Sequence, residues 1–418
     1  MKKTLAEKIL SYKSGVDSKA GDIVIVPIDK VYAHDVSGPL AIRRFRESGF
    51  KKLAHPEATI FFLDHAVPSP RQELANDQKF IRTFVQEQGC PLSEINEGVC
   101  HQIAVEKWVR PSDIVCGGDS HTPTAGGLCA FATGMGSTDI AVAMALGKTW
   151  LRVPESLLVK ITGQFSPTVH AKDLALHIIG LLSAEGATYK ALEFGGDTTR
   201  TMTMSQRFTL ANMSVEAGAK AGLFPADGVT KDYLEAHGRG DSYLELFPDP
   251  DAVYERVIEI EAQKLVPLVA QPHTVDNVIS VSEVEGTRID QVFIGSCTNG
   301  RLEDLAITAR ILQGKKRHSQ TRLIIVPASR GVYQEAMAKG YITTFIDAGA
   351  AVVNPGCAAC AGVHEGILGN SEVCLSTTNR NFKGRMGNPE SFVYLASPAT
   401  AAASAITGKI TNPEKFMA

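Results

Sequence analysis

Four short apolar runs in this chain each pass straight into a loop of polar, glycine or cysteine residues, and this repeated junction restricts the fold more than any other feature. Residues 58–63 lead into Asp64-His65, and 113–116 into Gly117-Gly118-Asp119-Ser120-His121-Thr122. Residues 291–294 lead into Gly295-Ser296-Cys297-Thr298-Asn299, and 350–353 into Asn354-Pro355-Gly356-Cys357-Ala358-Ala359-Cys360. Between such runs lie helical periodicities at 73–89, 138–149, 171–183, 252–264 and 302–313. Strands alternating with helices predict α/β domains with largely parallel sheets. Ligands of open α/β sheets bind beyond the carboxyl ends of the strands, so the four loops are placed to converge on one cleft.

A chain of 418 residues exceeds one ordinary core. A new strand after 152–154 and a Pro- and His-bearing interruption at 266–280 predict three domains, 1–155, 156–282 and 283–418. Lys plus Arg number 42 against 45 for Asp plus Glu, leaving a net charge of −3 and no bulk attraction for nucleic acid. No signal-type apolar segment opens the chain and no run has membrane-spanning length, so no membrane association and a cytoplasmic setting are expected. In that setting the 8 cysteines are not expected to form a disulfide framework.

Cys357 and Cys360 form a C-x-x-C whose thiolates can reach one metal centre, and Cys297 stands in a loop of the same type. Zinc, a redox pair and an iron–sulfur cluster all remain open on spacing alone. A cluster normally takes four thiolates. Three would leave one iron open to water or a substrate oxygen, able to polarise a departing hydroxyl. Asp64-His65 and Asp119-Ser120-His121 are acid–base candidates, since an imidazole beside a carboxylate can deliver a proton near neutral pH. His101 alone is the weaker candidate, because a single His is commonly a hydrogen-bonded core or surface residue. Arg380 and Arg385 can clamp carboxylates through bidentate hydrogen bonds.

Together these pieces resemble the aconitase family over essentially the whole chain. They are Asp64-His65, Gly118-Asp119-Ser120-His121-Thr122, the loop of Cys297, Pro355-Gly356-Cys357-x-x-Cys360, and Asn379-Arg380-Asn381-Phe382 with Arg385. The resemblance implies three α/β domains of the aconitase type around a central cleft. In that cleft a [4Fe–4S] cluster would sit on Cys297, Cys357 and Cys360, with one open iron. By the same carry-over Asp64 and His65 assist loss of the hydroxyl. His101, Asp119 and His121 line the iron–water site, with Glu216 near the water. His34, Ser120, Asn212, Asn379, Arg380 and Arg385 would line a small di- or tricarboxylic hydroxy acid.

The family's fourth, swivelling domain and its serine base are not found in this sequence. The resemblance therefore implies a separate small subunit, in a heterodimer or heterotetramer. His34-Asp35 stands where aconitases proper have glutamine and aspartate, which turns the reading from citrate toward the family's split hydro-lyases. Isopropylmalate, of leucine biosynthesis, is the favoured substrate, with homoaconitase-type acids and dimethylmalate as alternatives. Of other classes, a structural zinc protein is a further reading, and a cluster-dependent RNA-binding iron sensor has the acidic charge balance against it.

Overall fold

A computed structural model describes residues 2–417, and in it the strand-to-loop junctions organise three sheet-based units. The first unit is a five-stranded parallel sheet in the spatial order Leu92–Ser93, Thr59–Phe62, Lys30–His34, Ile114–Gly117 and Phe131–Gly134. Thr59–Phe62 is buried at every position, as expected of a strand covered on both faces. The helix predicted over 138–149 ends at Leu146, because Gly147 takes a left-handed φ of 63°. Lys148–Arg152 then pairs antiparallel with Ile23–Pro27 as a separate two-stranded ribbon.

The second unit is a four-stranded parallel sheet, Ala221–Leu223, Ala191–Gly195, Ser156–Thr162 and Arg256–Glu261. Its last strand corrects the helix predicted over 252–264. Ile258 and Ile260 point inward while Glu259 and Glu261 face solvent, a period of two that belongs to a strand.

The third unit is a seven-stranded sheet whose five parallel strands are Phe392–Ala396, Val373–Ser376, Gln291–Gly295, Arg322–Val326 and Ala351–Val352. Leu268–Ala270 and Val278–Ser280 extend it antiparallel. The segment 266–280, predicted as a break, thus supplies two strands, and the third sheet begins before residue 282. We propose unit divisions near residues 155 and 265. Among the described residues no helix is long and apolar enough to cross a membrane.

The apolar cores cross these divisions. Cys357 and Cys360 pack in one cluster with Val159, Leu174 and Phe293, whereas Cys297 belongs to the cluster of Tyr32, Phe62 and Cys100. The N-terminal helix Leu5–Ser14 is capped by Thr4 and Glu7 and is fixed across the first division by Glu193. The Glu193 carboxylate accepts the N–H groups of Leu5 and Ala6, both at 3.0 Å, and the hydroxyl of Ser156 at 2.9 Å.

Burial raises the Glu193 carboxyl above its ordinary value, with its hydrogen bonds opposing the shift. An acid raised by folding binds more protons folded than unfolded, so its contribution to stability is lost as pH rises above the ordinary glutamate range. Glu193→Gln removes that titration. Thermal melts of this variant are expected to decline less than wild type between pH 5 and 8, and equal slopes would show that the carboxyl does not titrate in this window.

Candidate active site

Asp35, immediately after the strand Lys30–His34, turns the loop of Asp64 and His65. It accepts the backbone N–H groups of Asp64 at 3.2 Å, His65 at 2.8 Å and Ala66 at 2.9 Å, and the Gln78 side-chain amide at 3.2 Å. The turn faces Asp64 Oδ1 to His65 Nδ1 at 2.8 Å. The carbonyl of Asp64 accepts the N–H of Cys357 at 2.8 Å, joining this loop to the cysteine loop of the third unit.

Asp119 is the hub of the polar groups. His101 Nε2 lies 2.8 Å from its Oδ1, which also accepts the backbone N–H of His121 at 2.7 Å. The Nε2 atoms of His34 and His65, whose rings stack at 3.7 Å, each stand 3.5 Å from its Oδ2. His121 Nε2 reaches Glu216 Oε1 at 2.7 Å. Arg380 Nε donates to both Glu216 oxygens at 2.8 and 3.0 Å, and its Nη1 donates to Ser120 Oγ at 2.8 Å.

Charge follows from this geometry. Burial works to raise Asp119, but His101, His121 and His34 outweigh it and hold the carboxyl well below the ordinary range. Burial likewise works to lower His65, yet Asp64 and Asp119 raise it well above the usual imidazole value. His101 is lowered, chiefly by burial. The two carboxylates thus favour the protonated form of His65, and burial favours the neutral form of His101.

The thiols of Cys297, Cys357 and Cys360 are 3%, 4% and 1% exposed. Gly295 lets the first of them turn in from its strand: its φ is 145°, and a Cβ there would meet the Val326 carbonyl oxygen at 2.1 Å. Cys297 Sγ accepts from Asn212 at 3.3 Å and Asn379 at 3.5 Å, and Cys360 Sγ accepts from Arg385 Nη2 at 3.5 Å. Hydrogen bonding from Cys357 and the charge of Arg385 pull the Cys360 thiol well down, against burial.

Two sulfurs on one tetrahedral zinc stand only about 3.8 Å apart, since each lies about 2.3 Å from the ion. Among the described residues, the groups whose ligand atoms all fall within 4.8 Å of one another are His34-Asp35-Asp64-His65 and His101-Asp119-His121. The three thiols do not form so compact a group, although Cys357 hydrogen-bonds Cys360 and Cys297 lies near enough to Cys360 for their charges to interact. Their N–H donors suit sulfurs that carry negative charge. Arg385 Nε is buried with no partner, an orphaned donor of the kind that a substrate carboxylate satisfies.

Similarity to known proteins now bears on the site. The aconitase family (aconitate hydratase) model matches residues 7–287 and 282–408. The chain belongs to the aconitase family. Membership implies a [4Fe–4S] cluster, and the three buried thiols fit one. The chain is 55% identical over 417 residues to the 3-isopropylmalate dehydratase large subunit of Elusimicrobium minutum, covering 100% of both chains. It is 54% identical over 419 residues to large subunit 1 of the same enzyme from Thermotoga maritima, again covering 100% of both. In fold it is similar to the holo form of aconitase X from Thermococcus kodakaraensis. That match has a TM-score of 0.51 at 14% identity and covers 85% of this chain and 84% of that one.

Every residue singled out from sequence lies in these two adjoining networks, with Asn212 and Asn379 at the thiols. His364 Nε2 lies 3.1 Å from the His65 carbonyl oxygen. Three contributors were missed. Arg301, 2% exposed, donates to the carbonyls of Cys297 at 2.6 Å and Thr298 at 2.9 Å. Cys100 donates its N–H to Asp64 Oδ2 at 2.6 Å. Tyr32, 1% exposed, places its hydroxyl 2.9 Å from His101 Nδ1. Burial favours the protonated phenol and the neutral imidazole, a pairing in which the hydroxyl donates to Nδ1 and Nε2–H faces Asp119.

Tyr32→Phe keeps the ring and removes this donor. It is expected to lower kcat about 10- to 100-fold, as loss of an outer-shell partner does, with circular dichroism and cluster absorbance unchanged. Wild-type kcat would show that His101 needs no orienting hydroxyl.

Proposed function

We propose that the chain is the large subunit of a 3-isopropylmalate dehydratase, interconverting 2- and 3-isopropylmalate by loss and return of water. The observation that carries this reading is the Asp119-centred set of imidazoles and carboxylates beside three buried thiols and the unpartnered Arg385 Nε. The names of the full-length relatives support the substrate and the need for a small subunit.

In this reading Arg385, with Arg380 and Ser120, binds the carboxylates of the hydroxy acid. His65, carrying its proton between Asp64 and Asp119, protonates the departing hydroxyl. His101 and His121 orient Asp119, and Glu216 holds His121 and Arg380 in register. His34 supports the His65 ring by stacking. Asn212 and Asn379 satisfy the Cys297 sulfur. When bound to Cys297, Cys357 and Cys360, the cluster supplies a Lewis-acidic iron. The carbon-bound proton is taken by a group of the small subunit.

The test is anaerobic reconstitution with iron and sulfide, followed by hydratase assays with the cognate small subunit on isopropylmalate, homoaconitate and citrate intermediates. Turnover of isopropylmalate that needs both iron and partner is expected. Turnover of only a homocitrate-type acid would reassign the substrate, and a chain that holds no iron would overturn the proposal. Cys360→Ser is expected to lose iron and activity, while Cys90→Ser, far from the thiol set, keeps both. Arg385→Lys is expected to raise KM about 10- to 100-fold, the worth of a charge-assisted hydrogen bond, with cluster absorbance retained. An unchanged KM would remove Arg385 from the carboxylate site.

A further inference from the structure

Lys172 is 0% exposed and lies in the first turn of the helix Ala171–Leu182, in the second unit. A cation there faces the positive end of the helix dipole. Among the described residues no carboxylate oxygen lies within 4.0 Å of its Nζ. The adjacent Asp173 is engaged elsewhere, accepting the N–H groups of His170 and Leu268, both at 2.9 Å. A buried ammonium at the wrong end of a helix and without an ion pair is costly, and it keeps its charge only where nearby negative charge offsets its burial.

The hydrogen bonds of Lys172 lead toward the thiols. Nζ donates to the carbonyl of Thr377 at 2.8 Å and to that of Thr378. The next residue is Asn379, whose Nδ2 donates to Cys297 Sγ at 3.5 Å and whose Oδ1 lies 3.8 Å from Cys360 Sγ. Arg380, next again, reaches Glu216 and Ser120. Burial draws Lys172 down to about 7, and the charges of Cys360, Asp304 and Cys297 act against that shift.

We infer that Lys172 is a positioning residue for the thiol-bound group. It fixes the backbone of Thr377 and Thr378 so that Asn379 stands between two thiols, and its ammonium is the buried counter-charge of the thiolates. The inference rests on the cluster reading proposed above. It assigns a task to a charged residue that touches neither a thiol nor any substrate-facing group described here, and it predicts that the ammonium matters more with the cluster bound than without it.

Two variants test it in the full chain. Lys172→Met keeps an unbranched chain one atom shorter, without charge or donor, and Lys172→Gln keeps a donor without charge. Wild type and both variants are reconstituted anaerobically, then compared by thermal midpoint with and without cluster and by the rate at which a chelator removes iron. Loading is expected to raise the midpoint of wild type more than that of either variant. Iron is expected to leave Lys172→Met about 10- to 100-fold faster than wild type, the usual cost of losing an outer-shell partner, with Lys172→Gln between the two. Variants that gain as much from loading and release iron at the wild-type rate would overturn the inference. So would failure of both variants to fold in the cluster-free state, since the ammonium would then serve the fold alone. Wild type that binds no iron would instead overturn the cluster reading.

Discussion

A single carboxylate, that of Asp35, carries much of the geometry. With both oxygens buried, it gathers three consecutive backbone N–H groups and the Gln78 amide, and thereby sets the direction of the loop 64–66. Without that turn Asp64 would not meet His65, and the Asp64 carbonyl would not receive the N–H of Cys357. Backbone donors gathered on one anion are a strong way to hold an irregular loop, because each would otherwise be buried without a partner. The turn at the first sheet therefore helps to hold the cysteine loop of the third.

From there the site alternates in charge. Asp64, His65, Asp119 and His101 form one run, and His121, Glu216 and Arg380 form a second that ends at Ser120. Each carboxylate has a cation or an N–H donor on both sides, which lets so many ionisable groups share a water-poor junction. The thiols lie at its edge, held by amides and by Arg385. Their donors come from the second and third units, while the imidazoles come from the first, so no unit carries the site by itself.

What was legible in the sequence was the chemistry placed directly after strands. Asp64-His65, Asp119-Ser120-His121, Cys297 and the Cys357/Cys360 pair stand out because acids, imidazoles and thiols there have few structural reasons to follow an apolar run. Tyr32, Lys172 and Arg301 were not legible. Tyr32 is an ordinary aromatic until the fold sets His101 against it, and nothing in the sequence sets Lys172 and Arg301 apart from the chain's other basic residues. Their roles arise from partners far away in the chain. The strand Arg256–Glu261 was hidden because only Ile258 and Ile260 mark its period, and so short an alternation also fits one face of a helix. The strands Leu268–Ala270 and Val278–Ser280 have three residues each, too few for a pattern, and they exist because the edge at Phe392–Ala396 pairs with the first of them.

The bond between His65 and His364 joins residues 299 positions apart, and that between Ser120 and Arg380 spans 260. This separation bears on biogenesis. Contacts of such range form only after the intervening chain is in place. At about 5–20 residues per second of synthesis, roughly 15–60 s pass between the making of His65 and of His364, 299 residues later. During that interval the first sheet can fold, but its imidazoles lack the loop of the third unit that completes their surroundings. A group that needed Cys297, Cys357 and Cys360 together could be held only after Cys360 had been made, late in the synthesis of the chain.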